Sequence, residues 1–385
     1  MKAGWQVKRL SDVCEIIMGT SPPGETYNTT GKGVPLINGP VEFSPGSFGK
    51  TVRSKFTTAP NKLCKENDLI LCVRGSTTGK MNIAAFDACI GRGVAAIRAK
   101  EYQPWINHFI SAKADDIYQL GTGATFPNIS TSSLAGLTLL MPPLAEQRRI
   151  VGILDEAFEG LATAKANAEQ NLQNARALFE SHLQAVFTQR GDGWVEKKLS
   201  DVCAITSTLV DPRRKEYLDL THVGAGNIES QTGVLGDLKT AREEGLISGK
   251  FLFDETMVLY SKIRPNLMKV ARPDFSGLCS ADMYPLAPLP NAISRDYLFY
   301  LLLSKDFTDY AVRGSARAGM PKVNREHLFE FILWLPDLKN QKTLAANLDE
   351  THEETQRLEA LYQRKLAALD ELKKSLLHRA FTGEL

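Results

Sequence analysis

The strongest constraint on the fold is that the chain repeats itself. The pentapeptide Leu-Ser-Asp-Val-Cys at residues 10–14 recurs at 199–203, an offset of 189. Further along the chain the offset becomes 194, as for Gln147 and Gln341. With 385 residues in total, each copy is long enough to bury a core of its own. The repeat therefore predicts two structural halves.

Each half ends in a long segment with helical periodicity. Positions spaced alternately four and three apart, starting at Ile150, are apolar in nine of eleven cases within residues 142–190. The same frame, starting at Leu344, is apolar or aromatic in seven of eleven cases within residues 337–385. This spacing is typical of a coiled-coil seam. We expect two helices of about 40 residues, each roughly 60 Å long, and the chain connectivity requires them to pair antiparallel.

The preceding segments, residues 1–141 and 191–336, have a different character. They are rich in Gly, Pro and Thr, and they contain short apolar runs such as 69–73 and 257–260 that predict strands. Short helices are predicted around 104–114 and 295–304. We expect two mixed α+β domains, each followed by a helix, with a pseudo-two-fold internal repeat.

Charge and cysteine content restrict the class of protein. The net charge is only +2, but residues 1–141 carry 15 Lys and Arg against 10 Asp and Glu. Any phosphate contacts must therefore come from local clusters, or a partner must supply extra basic surface. The six cysteines form no Cys-x-x-Cys pair, so we expect reduced thiols and no metal site. No stretch has the roughly 18 apolar residues of a membrane span, which favours a cytoplasmic protein.

Several motifs resemble those of the specificity subunits of type I restriction-modification systems, and the resemblance covers nearly the whole chain. The segments that carry it are 19–22 with 34–39, 67–70 with 74–80, 126–130 with 141–151, and 379–385. The most specific is Met-Pro-Pro-Leu-Ala-Glu-Gln-Arg-Arg-Ile-Val at 141–151. The second half departs from this form, with Pro-Asp-Leu-Lys-Asn-Gln at 336–341.

The resemblance implies a non-catalytic, DNA-reading role. Residues 1–141 and 191–336 would be target recognition domains, each for one half of a bipartite site on double-stranded DNA. The helical segments would separate the domains and bind modification subunits, which carry S-adenosylmethionine and methylate adenine. A restriction subunit would join for cleavage. No cofactor is expected in this chain itself.

Candidate DNA contacts are polar or basic residues near strand ends and turns. The turn at 74–80 offers backbone N–H groups and hydroxyls that can hold a phosphate or a base edge, although a plain surface hairpin explains it as well. Arg and Asn are chosen because they make bidentate contacts to guanine and adenine. The first domain contributes Arg53, Lys55, Arg74, Ser76, Thr77, Thr78, Lys80, Arg92 and Asn128, and the second contributes Arg213, Arg214, Lys262, Arg264, Asn266, Lys269, Arg317, Lys322, Asn324 and Arg325.

Two other classes of function compete with DNA recognition. The near-neutral charge also suits a protein–protein scaffold with paired binding domains. An enzyme with an unrecognised site is disfavoured, because the chain has no Asp/Asn-Pro-Pro-aromatic tetrapeptide of an adenine methyltransferase. The run at 75–80 does not match a nucleotide-binding loop either, because its glycine spacing is one residue short and Met81 replaces the required Ser or Thr.

Overall fold

The structure is a computed structural model that describes residues 4–46, 48–121, 127–315 and 321–385. The chain forms two compact units. Unit 1 comprises Met1–Ala168 with Arg364–Leu385, and unit 2 comprises Glu169–Gln363. Both boundaries between the units fall inside the long helices, so each helix contributes to both units.

The described residues of unit 1 form three small sheets. Its strands are Gln6–Arg9 (β1), Cys14–Met18 (β2), Tyr27–Asn28 (β3), Val34–Ile37 (β4), Phe56–Thr57 (β5), Leu63–Cys64 (β6), Leu69–Cys72 (β7), Met81–Ile83 (β8), Ala88–Ile90 (β9), Val94–Ala99 (β10) and Thr138–Met141 (β11). The strand orders are β1-β11, β2-β10-β7-β8 and β3-β5-β4-β9-β6. Strand β7 is buried along its whole length, which explains why its sequence is continuously apolar and does not alternate.

Unit 2 repeats this plan. Its strands are Val195–Lys198 (β12), Cys203–Ala204 (β13), Leu209–Val210 (β14), Thr221–Val223 (β15), Lys239–Thr240 (β16), Lys250–Phe253 (β17), Val258–Ser261 (β18), Val270–Ala271 (β19), Gly277–Cys279 (β20), Met283–Pro288 (β21) and Ile332–Leu335 (β22). The orders β12-β22 and β13-β21-β18-β19 match those of unit 1 strand for strand.

The five-stranded sheets differ in one respect. Both contain a parallel pair at the centre, β4 with β9 and β15 with β20. The short strand β3 pairs with β5, however, whereas its counterpart β14 pairs with β17 at the opposite edge of the sheet. The two domains therefore share the central strands of this sheet but differ in which edge carries the additional short strand.

The helices confirm the mixed α+β class. They are Leu10–Val13 (α1), Gln103–Ala112 (α2), Ala114–Gln119 (α3), Thr131–Ala135 (α4), Leu144–Thr188 (α5), Arg295–Leu303 (α6), Lys305–Arg313 (α7), Arg325–Phe329 (α8) and Leu338–Thr382 (α9). Helices α2 and α6 confirm the two short helices predicted from the sequence. None of the helices in the described part of the chain is long and apolar enough to cross a membrane.

The repeated glutamine explains how both long helices start. The Nε2 atom of Gln147 donates a hydrogen bond to the carbonyl of Pro142, and that of Gln341 donates to the carbonyl of Pro336, both at 2.9 Å. Both side chains are 1% exposed. Each thereby satisfies a buried carbonyl just before the first helical turn, where no intrahelical donor reaches it. This requirement accounts for a glutamine at the same place in both halves.

Within each unit the two long helices run in opposite directions, as predicted. In unit 1, Lys165 pairs with Asp370 at 2.9 Å, and the Arg149 side chain donates to the carbonyl of Leu385. Residue numbers therefore increase along α5 as those of the facing residues decrease along α9. Unit 2 shows the same trend, with Arg176 paired to Glu359 and His182 bonded to Thr351, both at 2.9 Å.

The last turn of each long helix packs on a globular domain. In unit 1 the Phe381 ring lies 4.7 Å from Trp105 and 5.6 Å from Phe109, measured between ring centroids. In unit 2 Phe187, which is the counterpart of Phe381 at the offset of 194, lies 5.2 Å from Tyr297. The C-terminal turn thus completes the core of unit 1 as the end of α5 completes that of unit 2.

Candidate nucleic-acid interface

In unit 1, the loop after β7 is tied to the segment that precedes α4. The backbone N–H of Gly75 donates to the carbonyl of Pro127 at 3.1 Å, and that of Ile129 donates to Val73 at 3.0 Å. Arg74 and Asn128 face each other in the resulting antiparallel bridge. Two stretches more than 50 residues apart in sequence therefore form one surface.

Unit 2 contains the equivalent junction. The N–H of Arg264 donates to the carbonyl of Pro321 at 2.9 Å, and that of Val323 donates to Lys262 at 2.8 Å. Here Ile263 and Lys322 form the antiparallel bridge. The structure thus brings together most of the candidates of each domain, at corresponding positions of the repeat.

The side chains of the loop at 74–80 play different parts. Arg74, Ser76 and Lys80 are exposed, and Thr77 is partly exposed. Thr78 is only 6% exposed, and its hydroxyl donates to the carbonyl of Gly75 at 2.8 Å. Thr78 therefore holds the turn together instead of facing solvent as the sequence suggested.

In unit 2, the exposed candidates are Arg264 and Asn266, whereas the lysines of this loop are bound to the protein. The Nζ atom of Lys269 donates to the carbonyl of Ala225 at 2.5 Å. Lys262 donates to the carbonyl of Ala281, and burial, followed by the charge of Lys322, lowers its pKa. Arg264 is the exposed cation of this loop, and it has a left-handed backbone with φ of 48°.

The segment after Pro321 contributes mainly helix-start contacts. Asn324 is the N-cap of α8, and its side chain accepts a hydrogen bond from the N–H of His327 at 2.7 Å. Arg325 donates to the carbonyl of Ile205 at 3.1 Å. Lys322 is exposed and lies 3.4 Å from Asp282. The side chain of Asn324 is thus explained by helix capping.

The remaining candidates lie away from these junctions in sequence. Arg53 is exposed and stacks over the Phe86 ring at 4.4 Å. Lys55 and Arg92 are exposed, Lys55 just before β5 and Arg92 in the turn between β9 and β10. Arg317 falls outside the described residues.

Two of the remaining candidates lie in a turn of unit 2. Arg213 pairs with Asp211 at 2.8 Å and lowers the pKa of that carboxyl to about 2. Its neighbour Arg214 is exposed and lies 3.9 Å from Glu216. Because Arg213 belongs to this turn and not to the junction that recurs in both domains, it is a poorer candidate for a base contact than Arg264.

The structure also contains a cleft that the sequence did not predict. Beside the loop at 74–80, unit 1 has an open cleft of about 1200 Å³ that reaches the last turns of α9. The lysines that line it come from three distant parts of the sequence, so no local motif could have shown them. In the residues the structure describes, no group of His, Cys, Asp and Glu is arranged to hold a metal ion.

Comparison with known proteins identifies the family. Residues 2–173 and 191–365 each match the family described as "Type I restriction modification DNA specificity domain". The chain therefore belongs to this family and contains its defining domain twice. It is accordingly a non-catalytic DNA specificity subunit with two recognition domains, as the sequence motifs predicted.

Curated relatives and solved structures agree with this assignment. The chain is 28% identical over 302 residues to the type I restriction enzyme EcoDI specificity subunit of Escherichia coli, covering 70% of this chain and 67% of that protein. It is 21% identical to the MjaVIII specificity subunit of Methanocaldococcus jannaschii, with 99% and 93% covered.

Two solved structures share the fold. A chain from a study of complex assembly and conformational transition of the type I R-M system has a TM-score of 0.79 at 17% identity, with 100% of this chain and 99% of that chain covered. The HsdS subunit from Thermoanaerobacter tengcongensis has a TM-score of 0.63 at 18% identity, with 100% and 98% covered.

Proposed function

We propose that each domain reads one half of a bipartite site on duplex DNA through the junction described above. The first junction joins the loop at 74–80 to Asn128, and the second joins Arg264 and Asn266 to Lys322. The single observation that supports this most is that the same backbone junction recurs in both domains while the side chains it displays differ. A shared frame with different exposed side chains is what reading two different half-sites requires.

We further propose that the long helices set the distance between half-sites and bind the other subunits. Helices α5 and α9 each have 45 residues, so a straight one spans about 68 Å at about 1.5 Å per residue. That length covers between one and two turns of DNA at roughly 35 Å each. In the complex, modification subunits would bind the helices, carry S-adenosylmethionine and methylate adenine, and a restriction subunit would cleave. The complex would act in the cytoplasm, where it meets its DNA.

The test of DNA binding is its dependence on salt. We expect the chain, assembled with its modification subunit, to bind random duplex DNA with an affinity that falls steeply as salt rises, because phosphate contacts release counterions. Methylated adenines mapped in the host genome should define two half-sites separated by an unread gap. A salt-independent or absent interaction would instead favour the protein–protein scaffold.

A matched pair of substitutions tests the second junction. Arg264→Gln is expected to weaken binding about 10- to 100-fold and to relax the preference at one half-site only. Arg213→Gln makes the same charge change in the same domain, but Arg213 belongs to a separate turn and not to the junction of Ile263 with Lys322, so we expect little effect. Affinities for oligonucleotides with single changes in each half-site measure both. Equal losses of affinity for the two variants would show that Arg264 contributes no more to DNA binding than Arg213 does.

A further inference from the structure

The charged residues that line the cleft of unit 1 are mainly lysines. Lys80 reaches it from the loop after β7, Lys113 from the end of α2, and Lys373 and Lys374 from α9. Asp115 is the carboxylate among the lining residues. The loop residues Thr78 and Gly79 also line it. The cleft is therefore continuous with the candidate DNA junction of the first domain.

Two lysines of this cleft, Lys113 and Lys374, remain available to an outside anion, whereas Lys373 is partly exposed and its Nζ atom lies 5.2 Å from the centroid of the Phe158 ring. Lys113 and Lys374 pair with carboxylates on their own segments, Asp116 at 2.7 Å and Glu371 at 3.0 Å. Their side chains nevertheless remain 40% and 67% exposed. Ion pairs with this much exposure contribute little, so a phosphate can displace the carboxylates at small cost.

Unit 2 has an equivalent cleft with the opposite charge. Its volume is about 780 Å³, and it is lined by the corresponding turns of α5, the start of α7 and the loop at 229–232, with residues 352–359 of α9 in addition. At the offset of 194, Phe179 and Glu180 replace Lys373 and Lys374. The carboxylates that line it are Glu180, Glu229, Asp309 and Glu359, against the cations Arg176 and Lys305.

We propose that the unit 1 cleft binds the sugar–phosphate backbone of duplex DNA outside the half-site read by the first domain, and that the unit 2 cleft does not. The inference rests on the proposed DNA-binding function and adds that only one of the two clefts contacts the DNA backbone. Continuity with the loop at 74–80 favours DNA over an acidic protein segment as the occupant. The protein would then contact a longer stretch of duplex next to the half-site of the first domain than next to that of the second.

The test is the double variant Lys373→Gln with Lys374→Gln, in complex with the modification subunit and on duplex DNA. The plot of log affinity against log salt should become less steep by about 2, because each lost phosphate contact lowers the slope by about 1. Sequence preference should stay unchanged. Hydroxyl-radical footprints should shorten on the side of the first half-site only.

A control on the same helix separates this effect from net charge. Lys339 and Lys342 are exposed near the start of α9, within unit 2, so changing both to Gln should leave the salt slope and the footprint unaltered. If the wild-type complex fails to bind DNA, the proposed function itself is wrong. If it binds and the Lys373/Lys374 variant keeps the wild-type slope and footprint, only the cleft proposal is wrong. Loss of modification-subunit binding with an unchanged slope would assign the cleft to a protein segment and overturn the proposal.

Discussion

Inserting four residues into each long helix is expected to widen the gap between the two half-sites by one to two base pairs. One helical turn adds about 6 Å to a helix, and successive base pairs are about 3.4 Å apart. The insertions belong between Lys165 and Arg176 in α5 and between Glu359 and Asp370 in α9. These segments face each other in the antiparallel pairing that the two ion pairs define. Mapping of methylated adenines gives the gap length directly.

The half-sites themselves should remain the same, because neither domain is altered. A four-residue insertion between Ile247 and Ser248, both exposed in unit 2, is the control and should leave the gap unchanged. An unaltered gap in the helix variant, with methylation retained, would show that the helices do not set the spacing.

Phe381→Ala is expected to destabilise unit 1 by about 3 kcal/mol, the usual cost of removing a packed phenylalanine ring. The ring lies against Trp105 and Phe109, and its neighbour Ala380 is 0% exposed. A loss of this size is a large part of the stability of an ordinary domain. Hydrogen exchange resolves the effect by unit, since protection of α2 should fall while that of α6 stays unchanged.

Leu372→Ala provides the comparison on the same helix. Leu372 is 49% exposed, so its truncation should change the stability by much less. If Leu372→Ala and Phe381→Ala lowered the protection of α2 equally, the packing of the C-terminal turn would not be the cause.

The sequence predicted the architecture well because the signals were periodic and occurred twice. The frame starting at Ile150 and Leu344 predicted both long helices, and the structure confirms them as Leu144–Thr188 and Leu338–Thr382. The repeat matched Gln147 with Gln341, but only the structure shows that each satisfies a proline carbonyl at the start of its helix. A duplicated signal is strong because chance rarely produces it twice in register.

The candidate site was less predictable because its parts are distant in sequence. The motif at 74–80 indicated the loop, but its pairing with the segment at 127–129 depends on tertiary structure. Thr78 and Lys269 have suitable side chains, but each donates a hydrogen bond to a backbone carbonyl of the protein itself. Lys113, Lys373 and Lys374 could not be predicted as part of the site, because they line one cleft with Lys80 only once the last turns of α9 pack on unit 1.

The docking of that turn has a consequence for biosynthesis. Phe381 and Leu377 belong to the core of unit 1, although nearly the whole chain separates them from Trp5 in the same core. Unit 2 is complete once residue 363 has emerged, because all its parts lie within Glu169–Gln363. The domain that leaves the ribosome first is therefore the one finished last, and a nascent chain that stalls short of its end would carry a closed second domain beside an open first one.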